Sequence, residues 1–264
     1  MITEALLLAG GILTGAVLVW PLLLRAKREC ARLDEEKQLL EQEKKSVDDF
    51  MHNLVGAIGE GVERGELFRR IAHTAVHSIG AMSACVYERV ERGRLYGAAV
   101  EGLFPPQRRQ LESPAEGHAT RARFLENVLR SEVLEPGEGV VGEVARTGKP
   151  VIIQDAVNDP RIVHHADPAL ALRSIIYWPM QFGDQMIGVL AVANPSNGLP
   201  FTENEFSLVN SLAEQASLAV RNSDVMNLRI EKNRLEMDLS LASNVQALFL
   251  TEKYPASKEL DVDA

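Results

Sequence analysis

Twenty consecutive residues, Ala5 to Leu24, carry no charge, and the basic cluster Arg25-Ala26-Lys27-Arg28 follows at once. At a rise of about 1.5 Å per residue, a helix needs roughly 20 apolar residues to cross a bilayer's hydrocarbon core. Trp20 stands where an interfacial aromatic is expected, just ahead of the cations. Lys and Arg on the retained flank orient the segment, with a short N-terminus outside and everything after Arg25 inside. A cleaved secretion signal fits poorly. Its leading region should be basic and its apolar run about 7–15 residues long, whereas here Met1-Ile2-Thr3-Glu4 is acidic and charged helix follows the run. Residues 1–25 therefore read as a single-pass anchor in a bacterial inner membrane, with the body in the cytoplasm. Gly11 and Gly15 form a small-xxx-small pair that would let two such helices approach closely.

The remaining chain has room for one ordinary domain plus connectors. A net charge of −9 and a pI near 5.3 give no electrostatic footprint for nucleic acid. The two cysteines, Cys30 and Cys85, have neither zinc spacing nor a disulfide pattern. In a cytoplasmic body both are expected to be reduced, with Cys85 a small core residue.

Residues 26–54 read as a coiled-coil linker. Arg25 to Asp49 holds seven basic and eight acidic residues without Gly or Pro, and Leu33, Leu40, Val47 and Leu54 recur at sevens. The companion seam positions include Lys37 and Lys44, so the contact is weak and adjustable. A single solvated helix held by i,i+4 pairs is the alternative. After Gly56, Gly59 and Gly61, an amphipathic helix is predicted from Glu63 to Gly80. Strands are predicted at 82–90 and 94–100, around Glu91-Arg92-Gly93. A polar stretch, 107–134, follows with a helical patch at 124–129, and then a short helix closed by Gly148 and Pro150. Val151-Ile152-Ile153 reads as a strand, 161–173 as a loop with one short helix, and 174–180 with 186–192 as a central hairpin. From Glu203 a helix runs without a breaker to about Phe249, and heptad members Val225, Leu228, Leu235, Leu239, Ala242 and Phe249 mark its second half.

Four blocks carry a resemblance: Gly139-Val140-Val141-Gly142-Glu143-Val144-Ala145-Arg146-Thr147-Gly148-Lys149-Pro150, Val157-Asn158-Asp159-Pro160-Arg161, Gly188-Val189-Leu190-Ala191-Val192-Ala193-Asn194 and Phe201-Thr202-Glu203-Asn204-Glu205. In order and spacing they resemble the GAF family of sensor domains, over about residues 55–224. The resemblance implies an α+β fold with an antiparallel sheet flanked by helices, a loop-enclosed pocket on the sheet's other face, and terminal helices that pair in a homodimer. Residues 225–250 read as a C-terminal coiled-coil linker helix and 251–264 as a tail; within them Leu235-Glu236-Met237-Asp238-Leu239-Ser240-Leu241-Ala242-Ser243-Asn244-Val245-Gln246-Ala247-Leu248-Phe249-Leu250, with Pro255 after it, resembles the lead-in to bacterial PPM-type serine/threonine phosphatases. Those enzymes need clustered aspartates around two metals, and beyond Leu250 only Asp261 and Asp263 remain. The chain is thus expected to be non-enzymatic, with an output phosphatase domain or signalling partner elsewhere.

GAF pockets hold chemically diverse ligands, so the resemblance names no cofactor. Bilin attachment would need a cysteine in the 161–173 loop, which has none. The cyclic-nucleotide pattern is broken where Pro195 follows Asn194 and Phe206 follows Glu205. The candidate binding residues for an unknown small molecule are Arg161 and Arg173, which could clamp an anion, His164 and His165, which could offer imidazole nitrogen, and Trp178. Each also has a plain structural role open to it: Arg161 and Arg173 could pair with Asp155 or Asp159, and the histidines could be solvated. The leading expectation is a membrane-anchored GAF sensory module that relays binding through paired helices. The alternatives are a non-binding dimerisation scaffold or the sensor part of a histidine kinase or diguanylate cyclase. The latter two are disfavoured because residues 225–264 contain no histidine and no Gly-Gly-Asp-Glu-Phe run.

Overall fold

The computed structural model describes Lys27, residues 63–108 and residues 120–249. Apart from Lys27, the expected anchor at 1–25 and linker at 26–54 lie outside the described residues, as do positions 55–62, 109–119 and the tail 251–264. Among the described residues no helix is long and apolar enough to cross a membrane.

Helix α1 spans Arg64–Ile79. Its buried residues Leu67, Phe68, Ile71, Ala72, Ala75 and Ile79 fall on one stripe of a 3.6-residue period. Gly80 ends it in the left-handed region (φ 69°), its N–H donating to Val76 O, a conformation glycine reaches without a Cβ penalty. Strands β1 (Ala81–Arg89) and β2 (Leu95–Glu101) pair antiparallel around Glu91–Gly93. Short helices α2 (Arg121–Ser131) and α3 (Gly139–Thr147) precede the three-residue strand β3 (Val151–Ile153). Strands β4 (Ile175–Phe182) and β5 (Gln185–Pro195) close on a two-residue turn at Gly183-Asp184 and run longer than the sequence pattern gave. The chain then forms α4, Glu203–Phe249. An α+β architecture results, with an all-antiparallel five-stranded sheet in the order β2-β1-β5-β4-β3.

The start of α4 is a capping box. Thr202 Oγ1 accepts from Asn204 N at 3.3 Å, while Glu205 Oε2 accepts from Thr202 N at 2.8 Å. Burial alone would raise the Glu205 carboxyl, but the Thr202 hydrogen bonds outweigh it and hold the group below its usual range. Phe201, just before the cap, is fully buried. Ser174, also buried, accepts from Phe201 N and donates to Ile153 O, both at 3.1 Å, and so ties β3 to the head of α4.

Two apolar layers sandwich the sheet. On one face α1 and the first half of α4 pack Phe68, Ile71, Val209, Leu212, Ala213 and Ala216 onto Ala84, Val86, Leu190 and Val192. On the other, Phe104, Leu129, Val141, Ile162 and Leu172 cover Cys85, Tyr87, Tyr177, Val189, Ala191 and Ala193. Central strand β5 thus has Ile187 to Ala193 buried from both sides. Gly188 lies within that run, opposite Glu88 on β1 and Met180 on β4. A Cβ there would stand 1.9 Å from the Tyr87 carbonyl oxygen, whereas one on Gly183, at the exposed turn, would meet open space.

Replacing Gly188 by Ala is therefore expected to cost more than about 3 kcal/mol, because the central ladder must shift. Gly183→Ala should cost only about 1 kcal/mol, the penalty of a left-handed φ. Urea denaturation of the pair checks the contrast. Similar midpoints for both variants would contradict the close approach at Gly188.

Candidate functional site

The face of the sheet opposite α1 and α4 is the place to look for binding, and its floor is set by strand register. Cys85 on β1, Ala191 on β5 and Tyr177 on β4 lie in one row across three strands, and Tyr87 on β1 with Val189 on β5 in the adjoining row. Ala191, between Cys85 and Tyr177, is small. β2 is irregular at this point, the pairing shifting between Val86 and Tyr87, a local change that re-aims side chains.

Both tyrosines are buried, yet neither hydroxyl makes a hydrogen bond among the described residues. The Cys85 thiol sits beside the Tyr87 hydroxyl and the Gln107 side chain beside that of Tyr177, but neither pair meets hydrogen-bond geometry. Desolvation pushes all three acids, Cys85, Tyr87 and Tyr177, well above their ordinary ranges. The thiol therefore stays protonated and is a poor nucleophile. Glu132 joins the same region from the end of α2. Its carboxyl is raised by burial, against the opposing hydrogen bond that its Oε2 accepts from Gln107 N at 2.9 Å.

The roof is built from 101–108 and the loop between β3 and β4. That loop is held at its neck by Ala156 N donating to Arg173 O at 2.9 Å. Asp155 accepts from the Asn158 side chain at 2.7 Å, and Asp167 pairs with Arg121 of α2. His165 Nε2 lies 2.9 Å from Pro106 O, joining the two roof segments. Ile162, Leu170 and Leu172 are buried, so the loop is better anchored by apolar side chains than its composition suggests.

The five residues singled out from sequence do not converge. Arg161 forms a two-pronged pair with Asp159, Nε–Oδ1 3.0 Å and Nη2–Oδ2 2.7 Å, and the pair holds the carboxylate below its usual range. Arg173 lies at the opposite end of the loop, with Nη2 donating to Pro195 O at 3.4 Å and beside Met82 Sδ. His164 is exposed, while His165 serves the roof contact. Trp178 is displaced from its expected place. One position along β4 from Tyr177, it faces the helix layer and meets Phe206 of α4 edge-on, ring centroids 4.6 Å apart. Strand alternation puts successive side chains on opposite faces, so Tyr177 took the site that was assigned to Trp178. The sequence did not single out Tyr87, Tyr177 or Glu132.

Asn194, the first half of the broken cyclic-nucleotide pattern, is committed elsewhere. It adopts a left-handed φ of 56°; its Oδ1 accepts from Arg173 N at 2.7 Å and its Nδ2 donates to Ala171 O at 2.8 Å. An open cleft of about 600 Å³ lies outside this face, between α1 and β2, but its two arginines, Arg69 and Arg70, both pair with Glu66 on the same helix. Among the described residues no group of three or more His, Cys, Asp or Glu side chains could hold a metal ion.

A buried hydroxyl without a partner costs about 1–3 kcal/mol, so Tyr87→Phe and Tyr177→Phe should leave stability unchanged or raise it by about 1 kcal/mol. Thermal unfolding of the two variants checks this. A loss beyond about 1 kcal/mol would mean that the hydroxyl is hydrogen-bonded in solution.

Comparison with known proteins agrees with this geometry. The family model described as GAF domain matches residues 62–221, more than half of the chain. A curated relative, the dual 3′,5′-cyclic-AMP and -GMP phosphodiesterase 11 of Drosophila melanogaster, is 31% identical over 110 residues. That match covers 39% of this chain and only 8% of the relative. Among solved structures, a GAF domain of A. aeolicus in an inactive state aligns with TM-score 0.51 at 16% identity, over 69% of this chain and 98% of that one. The GAF domain of a phosphoenolpyruvate-protein phosphotransferase from Coxiella burnetii gives 0.51 at 14%, over 70% and 98%. Free methionine-R-sulfoxide reductase of Neisseria meningitidis, solved with its substrate, gives 0.50 at 16%, over 69% and 90%. At these identities the structures speak for the fold alone. The family match, together with the sheet order and the two-sided packing, makes this chain a member of the GAF domain family.

Proposed function

We propose that the chain is a membrane-tethered GAF signalling module that passes a change in its domain to an output through paired helices. The observation that carries it is the second half of α4. The helix packs on its own domain up to Ser223 and then continues to Phe249 with Leu228, Leu235 and Leu239 more than half exposed. Leu228 and Leu235 are seven residues apart, and on the companion seam Leu239 lies two heptads after half-buried Val225, with Lys232 between them. A helix of this length with an apolar seam and no neighbour along it among the described residues is suited to a parallel partner helix, a second copy of this chain being the simplest. The charge-free run 5–24 and its basic flank support tethering on the N-terminal side. The likeness of 235–250 to the PPM phosphatase lead-in supports an enzyme of that class as the output.

The input is a small molecule or protein that acts on the domain. For a small molecule, the unpartnered hydroxyls of Tyr87 and Tyr177 supply the polar contacts beneath the roof. One observation favours the scaffold alternative: Phe104, Leu129, Leu134, Ile162 and Leu172 already cover that floor. The two differ in what the tyrosine hydroxyls do. A sensor uses them on ligand addition, whereas a scaffold has no use for them.

Replacing Leu228 and Leu235 together by Asp should shift the full chain in detergent from dimer to monomer, since charges in a seam lose their water. Sedimentation measures the mass, and an unchanged dimer would remove the α4 seam from the proposal. For the anchor, a phosphatase reporter fused after Arg32 should be inactive, because it works only in the periplasm. Activity there would reverse the orientation.

A further inference from the structure

The point at which α4 leaves the domain is marked by a charged junction that neither the family match nor the ligand question explains. Arg64, the first residue of α1, donates from Nε to Glu88 Oε1 of β1 at 2.5 Å and from Nη1 to Asp224 of α4. The other carboxylate oxygen of Glu88 accepts from the Tyr96 hydroxyl of β2 at 2.6 Å. Glu88 and Tyr96 are cross-strand partners, which fixes that contact by register. The Arg64 guanidinium carbon also stands 5.4 Å from the centroid of the Phe68 ring. One cation therefore joins α1, β1 and α4, with β2 attached through the tyrosine.

Its place along α4 is telling. Val220 is fully buried and Ser223 nearly so, while from Met226 to Gln246 the helix is exposed. Asp224 thus occupies the boundary between the docked and the free parts of the helix. The junction is partly shielded, with the Glu88 side chain 14% and the Asp224 side chain 27% exposed. Burial alone would lower the Arg64 pKa, but the bonds to Asp224 and Glu88 reverse that and raise it. Tyr96 is pushed up to about 12 by burial and by the adjacent carboxylate. Charged hydrogen bonds of this kind are directional, so they fix a geometry as well as a distance.

We propose that the Arg64–Glu88–Asp224 junction is a latch that sets where α4 leaves the domain. Opening it frees the last docked turn of the helix without unfolding the body. Glu88 follows Tyr87 on the same strand but faces the helix layer, so a shift of β1 at either residue reaches the other. The latch itself requires no ligand and stands apart from the sensing proposal.

The test is hydrogen exchange on the full chain, comparing wild type with Arg64→Met, Asp224→Asn and the double variant. Peptides covering 217–226 should exchange about tenfold faster in each single variant, while those covering β5 keep their protection. The double variant should exchange no faster than the singles, because all three remove one shared contact. Unchanged exchange at 217–226, additive effects in the double variant, or loss that spreads into β5 would each overturn the latch. Asp224→Asn is nearly isosteric and partly exposed, so it keeps the test open if Arg64→Met fails to fold.

Discussion

Burial of β5 on both faces is the constraint from which the rest of this domain follows. Its side chains alternate into two separate apolar layers, so the strand can be satisfied only if something covers each side. Two helices that begin and end the described domain cover one side. The other is covered, among the described residues, by short helices and loops. The functional asymmetry has the same origin. The helix-covered face connects to α4 and what lies beyond it, and the loop-covered face is where groups such as the Tyr87 and Tyr177 hydroxyls end up buried without hydrogen-bond partners. Gly188 shows how tight the arrangement is, since a single methyl group has no room at the middle of the central strand.

Much of this was legible in the sequence because it rests on local chemistry. Gly80 and Gly148 end helices where glycine's left-handed freedom is needed, and Thr202 with Glu205 begins one by reciprocal capping. The hairpin turn at Gly183-Asp184 and the unbroken run from Glu203 to Phe249 likewise depend on nearest neighbours along the chain.

The candidate site was far less legible, for a reason specific to doubly buried strands. In Ile175-Ile176-Tyr177-Trp178-Pro179-Met180 no polar alternation says which residues face which layer, so Trp178 was placed on the loop side and Tyr177 overlooked. The row formed by Cys85, Ala191 and Tyr177 depends on register across three strands that are distant in sequence. The loop residues Arg161 and His165 stood out by chemical type, but their neighbours claim them first. Asp159 lies two positions from Arg161, and Pro106 O reaches His165 from a segment far away in the chain. The Asp159 pairing is at least open to a reading of the sequence, because the two residues are so close along the chain. The Pro106 contact had no sequence signal at all.

Signalling through such a domain needs a bistable element and not merely a pocket, because an input can shift only an equilibrium that already exists. The described body offers little slack: both layers of the sheet are packed, and the loop from 153 to 173 is pinned at its neck, at Asp167 and at three apolar anchors. The helical boundary at Ser223–Met226 is different. There apolar burial stops within a few residues, and polar contacts from Arg64 take over the holding of α4. Charged contacts exchange readily with water whereas packed methyl groups do not, so this is where two arrangements of similar free energy can coexist. A paired seam over 225–249 would then convert a small change of exit angle into a change of helix register, because a coiled coil accepts only discrete alignments of its heptads.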